Sequence, residues 1–396
     1  MQILANKIED FLTRASWIRK MFETGAELKA THGEDKVCDF SLGNPDLPPP
    51  AEVGKALAEI ARDADKPFAF GYMPNPGYPF AREALAHAVT EEQGVKVDPE
   101  NVIITCGAAG AINAVLRAVL DPGDEVIAPA PFFVEYVFYT DNHGGEFRPV
   151  MSKPGSFELD LDAIEKSVTA KTRAVIINSP NNPTGAVYSK AELTGLVDIL
   201  AKKGEQFGRP IFLLSDEPYR FLAYDGVEIP SVLSMYPFSI VVSSFSKSLS
   251  LAGERVGYAA VAPNMPEKDR LLNALVFTNR ILGYVNAPAI GQKLMAKAIN
   301  ASVDVSVYKS RRDAMADVLE NAGIEFTMPK GAFYFFPAAP GGDDVKFVEA
   351  LQDELILGVP GKGFGYPGFI RLSFCVGEDV ILRSRDGFKR AADRFK

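Results

Sequence analysis

Lys247 and Arg255 stand close together in the stretch SSFSKSLSLAGERVGY, directly after the apolar, β-branched run SIVV. Such a run reads as an interior strand. A dry strand should not end in a free ammonium, because an unpaired buried lysine shifts its pKa or finds a partner. The amine makes sense if it condenses with an aldehyde to a Schiff base, the chemistry of desolvated lysines. Arg255 then suggests an anion on the same ligand, since a guanidinium matches phosphate as a fork. Its neighbours Gly253 and Gly257 permit close backbone approach. The loop CGAAG, residues 106–110, offers glycine-flanked backbone N–H groups at a helix start, a second phosphate site.

An aldehyde and a phosphate on one ligand point to pyridoxal 5'-phosphate. Its pyridine nitrogen must stay protonated for the ring to act as an electron sink. Asp216, at the end of FLLSD, is the candidate partner. Tyr219 and Asn182 are placed to donate to the ring oxygen, and Phe133 in APAPFFVEY can lie against the ring face. Each has a bland reading: a lysine after a strand is often a surface residue, an aspartate there a helix cap, Asn182 turn chemistry and Phe133 core. Their joint order favours the site.

The chain resembles the fold-type I pyridoxal-phosphate-dependent aminotransferases, class I/II, of the aspartate aminotransferase superfamily. The resemblance runs from SLGNPD to FIRLSF and rests on NNPTG, SDEPY, SFSK…GERVGY and the late arginine strand. It implies that Lys247 forms the Schiff base and then moves the substrate proton. It also implies that Asp216 meets the pyridinium nitrogen, and that Tyr219 and Asn182 meet the ring oxygen. Ser244, Ser246, Arg255 and the backbone of Gly107, Ala108 and Ala109 would hold the phosphate. Arg371, with Asn182 and the backbone of Gly43, would clamp the substrate α-carboxylate. Tyr72 resembles the tyrosine that reaches the neighbouring subunit's phosphate, which implies a homodimer.

The implied activity is transfer of an amino group from an L-amino acid to a 2-oxo acid, with 2-oxoglutarate expected, by ping-pong kinetics. The chain departs from the family in places. Phe133 stands where some members have tryptophan, and Ala108 and Ala109 where members often carry a hydroxyl or a lysine. Arg280 lies near the position of a distal-carboxylate arginine in one subgroup, at a spacing that matches poorly, and reads sooner as a solvated or structural arginine than as a specificity residue. The donor therefore stays open. So does another fold-type I enzyme, a C–S lyase, decarboxylase or racemase; Arg371 favours the reaction that retains the carboxylate. A non-catalytic regulator with an attached DNA-binding module is disfavoured by the acidic chain.

The elements that position these residues alternate short apolar strands with helical stretches. NVIIT, DEVIAPA, RAVIINS, IFLLS and SIVVSSF each deliver polar, glycine or aromatic residues at the carboxyl end. Helices are expected at 107–120 and 189–206. The fold class is α/β, a mostly parallel sheet covered by helices, with its ligand site outside the carboxyl ends of the strands. From about residue 290 the pattern becomes long helices with GAFYFFPA and FIRLSFC as strands of a smaller α+β domain. The expected division is 1–44 as an N-terminal segment packing with the small domain, 45–288 as the cofactor domain and 289–396 as the small domain. Residues 16–30 read as an amphipathic helix with Ile18, Met21, Phe22 and Leu28 on one face, and Trp17 as a core residue.

Composition removes other classes. A net charge of −9 argues against nucleic acid as a partner. Cys38, Cys106 and Cys375 form neither a metal-ligand spacing nor a disulfide framework, so no metal is expected. His32, His87 and His143 sit in no hydrolase motif. With no signal peptide or membrane-length apolar run in the sequence, a cytoplasmic protein is expected.

Overall fold

The computed structural model describes residues 3–14 and 16–396, excepting the side chains at 10, 13, 14 and 16–23. The readings of Ile18, Met21 and Phe22 as a helix face and of Trp17 as core fall on side chains outside the described residues. The backbone there is helical, over Ser16–His32.

Among the described residues a two-residue strand, β1 (Cys38–Asp39), precedes the main sheet. That sheet contains β2 (Val102–Cys106), β3 (Glu125–Ala130), β4 (Glu146–Met151), β5 (Thr172–Asn178), β6 (Phe212–Asp216), β7 (Ser239–Ser244) and β8 (Val256–Val261). Their spatial order is β2-β8-β7-β6-β5-β3-β4. All run the same way except β8, which is antiparallel to both β2 and β7. The five expected strands are all present. Two more were unannounced. β4 is an edge strand, mostly exposed and with Pro149 inside it, and it carries no apolar run. β8 lies hidden in the arginine motif, in VGYAAV.

Strands β6 and β7 are buried along their whole length and β5 along all but Arg173, as a sheet covered on both faces requires. Fully burying each aliphatic side chain contributes roughly 1.5–3 kcal/mol. The carboxyl ends of these strands are therefore the rigid points of the molecule. Helix Gly107–Val119 packs on β7 and β8 with Ile112, Val115 and Leu116 buried. Helix Lys190–Phe207 starts in a reciprocal Ser189–Glu192 capping box and stops at Gly208, whose φ of 65° suits glycine.

The second layer holds β9 (Tyr334–Phe335), β10 (Ile356–Leu357), β11 (Val359–Pro360) and β12 (Ile370–Ser373). β11, β12 and β9 form an antiparallel sheet, and β1 pairs in parallel with β10. The expected GAFYFFPA strand shrinks to two residues, because Pro337 cannot extend the ladder. The N-terminal segment is tied to this layer at several points. A Cβ at Gly25 would stand 2.9 Å from Leu357 Cδ1. Ser373 N–H donates to the Phe40 carbonyl at 2.8 Å, and Arg311 forks onto Asp46 with both contacts at 2.8 Å.

Gly257 and Gly253 differ in what they permit. A Cβ at Gly257 would stand 2.6 Å from Ala108 N and 2.6 Å from the Ser243 carbonyl, whereas at Gly253 nothing lies within 4 Å. Gly257→Ala should therefore destabilise by about 1–3 kcal/mol in urea unfolding, with Gly253→Ala nearly silent. Equal effects from the two would contradict this account.

Candidate active site

The carboxyl ends of β2, β3, β5, β6 and β7 open into one cavity of about 420 Å³. Ala108 and Ala109 reach it from the turn after β2, Phe133 from the segment after β3 and Asn182 from the loop after β5. Asp216 ends β6, Tyr219 follows in the next turn, and Ser244, Ser246 and Lys247 follow β7. Arg255 closes one end, while Gly43 and Arg371 enter from the second layer. Two expected residues stand apart from this lining. Gly107 lies behind it, where a Cβ would come within 2.6 Å of the Arg255 guanidinium. Tyr72 is 95% exposed on the surface of this chain. None of the three histidines lines the cavity.

Lys247 sits in the short helix Phe245–Ser248, partly buried. Its Nζ donates to the Gly43 carbonyl at 2.7 Å and lies 5.4 Å from the Phe333 ring centre. Among the described residues no carboxylate pairs with it, and burial lowers its pKa to about 8. The amine is thus neutral for a useful fraction of molecules near physiological pH.

Asp216 is buried, and its Oδ2 accepts from the Tyr136 hydroxyl at 2.5 Å. Its Oδ1 has no hydrogen-bond partner. Burial pushes its pKa to about 7, against the pull of the Tyr136 bond and helped by the nearby Glu217 charge. Asn178 ties the neighbouring strands together here. Its Nδ2 donates to the Asp216 carbonyl at 2.7 Å and its Oδ1 accepts from Asn182 N–H at 2.6 Å.

Arg371, on β12, is a buried cation that meets no carboxylate among the described residues. Its guanidinium donates to Ser41 O at 2.6 Å and Asn182 Oδ1 at 3.2 Å, and its Nε has no partner. It is sandwiched between the rings of Tyr334 and Phe364, 5.0 and 4.7 Å from their centres. Burial lowers its pKa. A buried charge left uncompensated is costly, so the site calls for an anion.

At the far end, Arg255 adopts a left-handed conformation with φ 50° and donates to Ala252 O at 3.0 Å. It faces the first turn of helix Gly107–Val119, whose leading N–H groups have no intrahelical partner. Gly257 allows that helix start to approach β8 so closely; Gly253, which the spacing had also suggested, meets nothing.

These features fit pyridoxal 5'-phosphate. The bare Asp216 oxygen suits a protonated ring nitrogen, the helix start with Arg255 suits a phosphate, and Lys247 suits an aldehyde. Among the described residues no group of His, Cys, Asp or Glu is arranged to hold a metal.

Comparison with known proteins agrees. Residues 35–383 match the family described as aminotransferase class I and II. The aspartate aminotransferase of Thermotoga maritima is 35% identical over 93% of this chain and 95% of its own. The probable aspartate/prephenate aminotransferase of Aquifex aeolicus is 31% identical over 91% and 92%. A crystal structure of an aminotransferase from Eubacterium rectale superposes with a TM-score of 0.96 at 37% identity, covering 100% of both chains. The Thermus thermophilus aspartate aminotransferase with maleate superposes with a TM-score of 0.86 at 28% identity, covering 99% of this chain and 100% of that one. The chain belongs to the class I and II aminotransferases: it is a fold-type I, pyridoxal-phosphate-dependent aminotransferase.

The cavity also contains residues the sequence did not single out. Just behind the lining, Tyr136 backs Asp216; it lies three positions after Phe133, at helical spacing, a signal that was available. Glu135 and Tyr139 line the same wall. Tyr334 was legible only as a strand residue. Arg280 is exposed, stacks on Phe277 at 5.5 Å and lies outside this chain's own cavity.

Asp216 takes up its proton more readily folded than unfolded. Between its ordinary 3.8 and about 7, the folded cofactor-free chain holds the extra proton, so stability falls as pH rises through that window. Asp216→Asn should flatten the fall by up to about 1.4 kcal/mol per pH unit. Urea unfolding from pH 4 to 7.5 measures it, and an unchanged slope would refute the assignment.

Proposed function

We propose that this chain transfers the amino group of an L-amino acid to 2-oxoglutarate, with Lys247 as its catalytic amine. Aspartate is the first donor to test, because several relatives are named for it. The observation that carries the reading is a low-pKa amine without a carboxylate partner, sharing one cavity with a buried uncompensated arginine.

When bound, pyridoxal 5'-phosphate supplies an aldehyde carbon that joins amines and a ring that accepts the electron pair released at Cα. Arg371, with Asn182 and the Gly43 backbone, holds the substrate α-carboxylate, so the carboxylate is kept and Cα–H is the bond presented. Lys247 Nζ takes the Cα proton, the work of a base whose pKa lies near the operating pH. Asp216 Oδ1 would keep a proton on the ring nitrogen while Tyr136 engages its other oxygen. Tyr219 and Asn182 would donate to the ring oxygen, and Phe133 would hold the ring face. Ser244, Ser246, Arg255 and the backbone of Gly107, Ala108 and Ala109 bind the phosphate.

A second copy completes the site in this reading. Segment 69–78 is held against residues 286–293: Lys293 Nζ donates to Ala69 O at 2.6 Å and Asn286 Nδ2 to Pro74 O at 3.1 Å. It presents Phe70 and Tyr72 outward, with Phe68, Tyr284 and Ile290 also exposed. Such an apolar patch marks an interaction surface. Tyr284 also lies 3.8 Å from where a Cβ at Gly110 would sit, so the patch adjoins the phosphate end of the cavity. Tyr72 is then the residue given to the partner's site. Residues 45–288 form the cofactor domain, and 289–396 with 1–44 the smaller one. No helix among the described residues is long and apolar enough to cross a membrane. A cytoplasmic setting fits the scarcity of cysteine.

The purified protein should show a visible band that the correct amino acid bleaches and 2-oxoglutarate restores. Lys247→Ala should abolish turnover; substantial turnover in that variant would end the mechanism. Arg371→Ala should lower kcat/KM by at least about 100-fold. Subunit exchange between Lys247→Ala and Tyr72→Ala chains should regenerate one complete site per hybrid dimer. Failure to regain tight cofactor binding would remove Tyr72 from the site.

A further inference from the structure

Tyr334 meets the proposed machinery at three points. Its hydroxyl lies 2.9 Å from that of Tyr219. Its ring lies under the Arg371 guanidinium at 5.0 Å. Its phenol end fills the space a side chain at position 43 would need, since a Cβ there would stand 2.8 Å from Cζ. The Gly43 carbonyl is the acceptor that holds Lys247 Nζ. One buried phenol therefore touches the residues assigned to the ring oxygen and the carboxylate, and packs on the glycine that seats the amine.

Its placement is rigid. Tyr334 lies on β9, beside β12, with Ser373 opposite it and Leu372 opposite Phe335, so Arg371 is on the adjacent strand. Just upstream the chain is pinned to the other layer. Ala332 N–H donates to Leu222 O at 2.9 Å, and the Tyr224 hydroxyl donates to Ala332 O at 2.7 Å. The Tyr334 side chain thus belongs to the seam between the layers.

We propose that Tyr334 is a positioning residue that couples the carboxylate clamp to the ring-oxygen side of the cofactor pocket. Its hydroxyl donates to Tyr219, and its ring face seats Arg371. This rests on the roles proposed above for Tyr219 and Arg371. Two neutral phenols at this distance share one hydrogen bond. If Tyr334 donates, the Tyr219 hydrogen is left free for the cofactor ring oxygen, and each bond in such a chain strengthens the next. Burial holds the Tyr219 phenol well above its usual range, so it stays protonated and able to donate. The stacked ring supplies a cation–π contact to a guanidinium that lacks a carboxylate.

The test is a pH titration of the visible absorption of the holoenzyme, together with steady-state kinetics. Tyr334→Phe keeps the ring and removes the hydroxyl. The anionic ring oxygen then loses support, and the absorption midpoint should rise by about half a pH unit, with KM for the donor nearly unchanged. In a Tyr219→Phe background, Tyr334→Phe should add no further shift, because the path is already cut. Tyr334→Leu should raise KM about five-fold above the Phe variant. An unmoved midpoint in Tyr334→Phe, or additive shifts in the double variant, would overturn the hydroxyl coupling. Equal KM values for the Phe and Leu variants would overturn the ring's role. A wild-type band that does not titrate, or turnover that survives Lys247→Ala, would instead overturn the underlying reading and this inference with it.

Discussion

The constraint on which this molecule turns is charge held in a dry place without a counter-ion. Lys247, Arg371 and Asp216 all line a cavity among buried strand ends, and none has an oppositely charged partner among the described residues. Burial is the main cause that pulls the amine to about 8 and pushes the acid to about 7. Each such group costs stability in the empty fold. The arrangement is sensible only if a ligand brings the missing partners: a ring nitrogen for Asp216, a carboxylate for Arg371 and a carbonyl carbon for Lys247. An aminotransferase handles molecules that supply all three.

Rigidity makes that arrangement possible. Strands β5, β6 and β7 are packed on both faces and end at the cavity, so Asn178, Asp216 and the Lys247 turn are fixed with respect to each other. Asn178 fastens two of these ends directly, through Asp216 O and Asn182 N. The reversed strand β8 brings Arg255 back to the helix start at Gly107, and Gly257 lets the two backbones approach. The second layer then lowers Arg371 and Tyr334 onto the open side. The Arg311–Asp46 fork and the β1–β10 pairing bind that layer to the segment carrying Gly43.

Much of the main sheet was legible, because a parallel sheet covered on both faces needs continuous apolar runs, and five were present. Their polar tails named most of the site: Lys247, Asp216, Tyr219, Asn182, Ser244, Ser246, Arg255 and Phe133 are all in the cavity. Most of what escaped lacked a local signal. β4 is an exposed edge strand with no apolar run. β8 was masked by the motif around Arg255. Gly253 and Gly257 look alike in the sequence, yet only Gly257 faces a backbone. Tyr136 and Tyr334 are ordinary core aromatics until their hydroxyls are seen to meet Asp216 and Tyr219.

The sequence by itself determined the class of chemistry. An amine after a dry strand, an acid at the end of another and an arginine set for an anion are choices of residue type, and type is what a sequence records. Only the tertiary structure decided which groups meet. Bond partners come from strand order and from the layer that closes over the sheet, and these are set by contacts between residues hundreds of positions apart. The Gly43 carbonyl on Lys247, the bare oxygen of Asp216 and the phenol beneath Arg371 are facts of that kind: each depends on a distance no local pattern encodes.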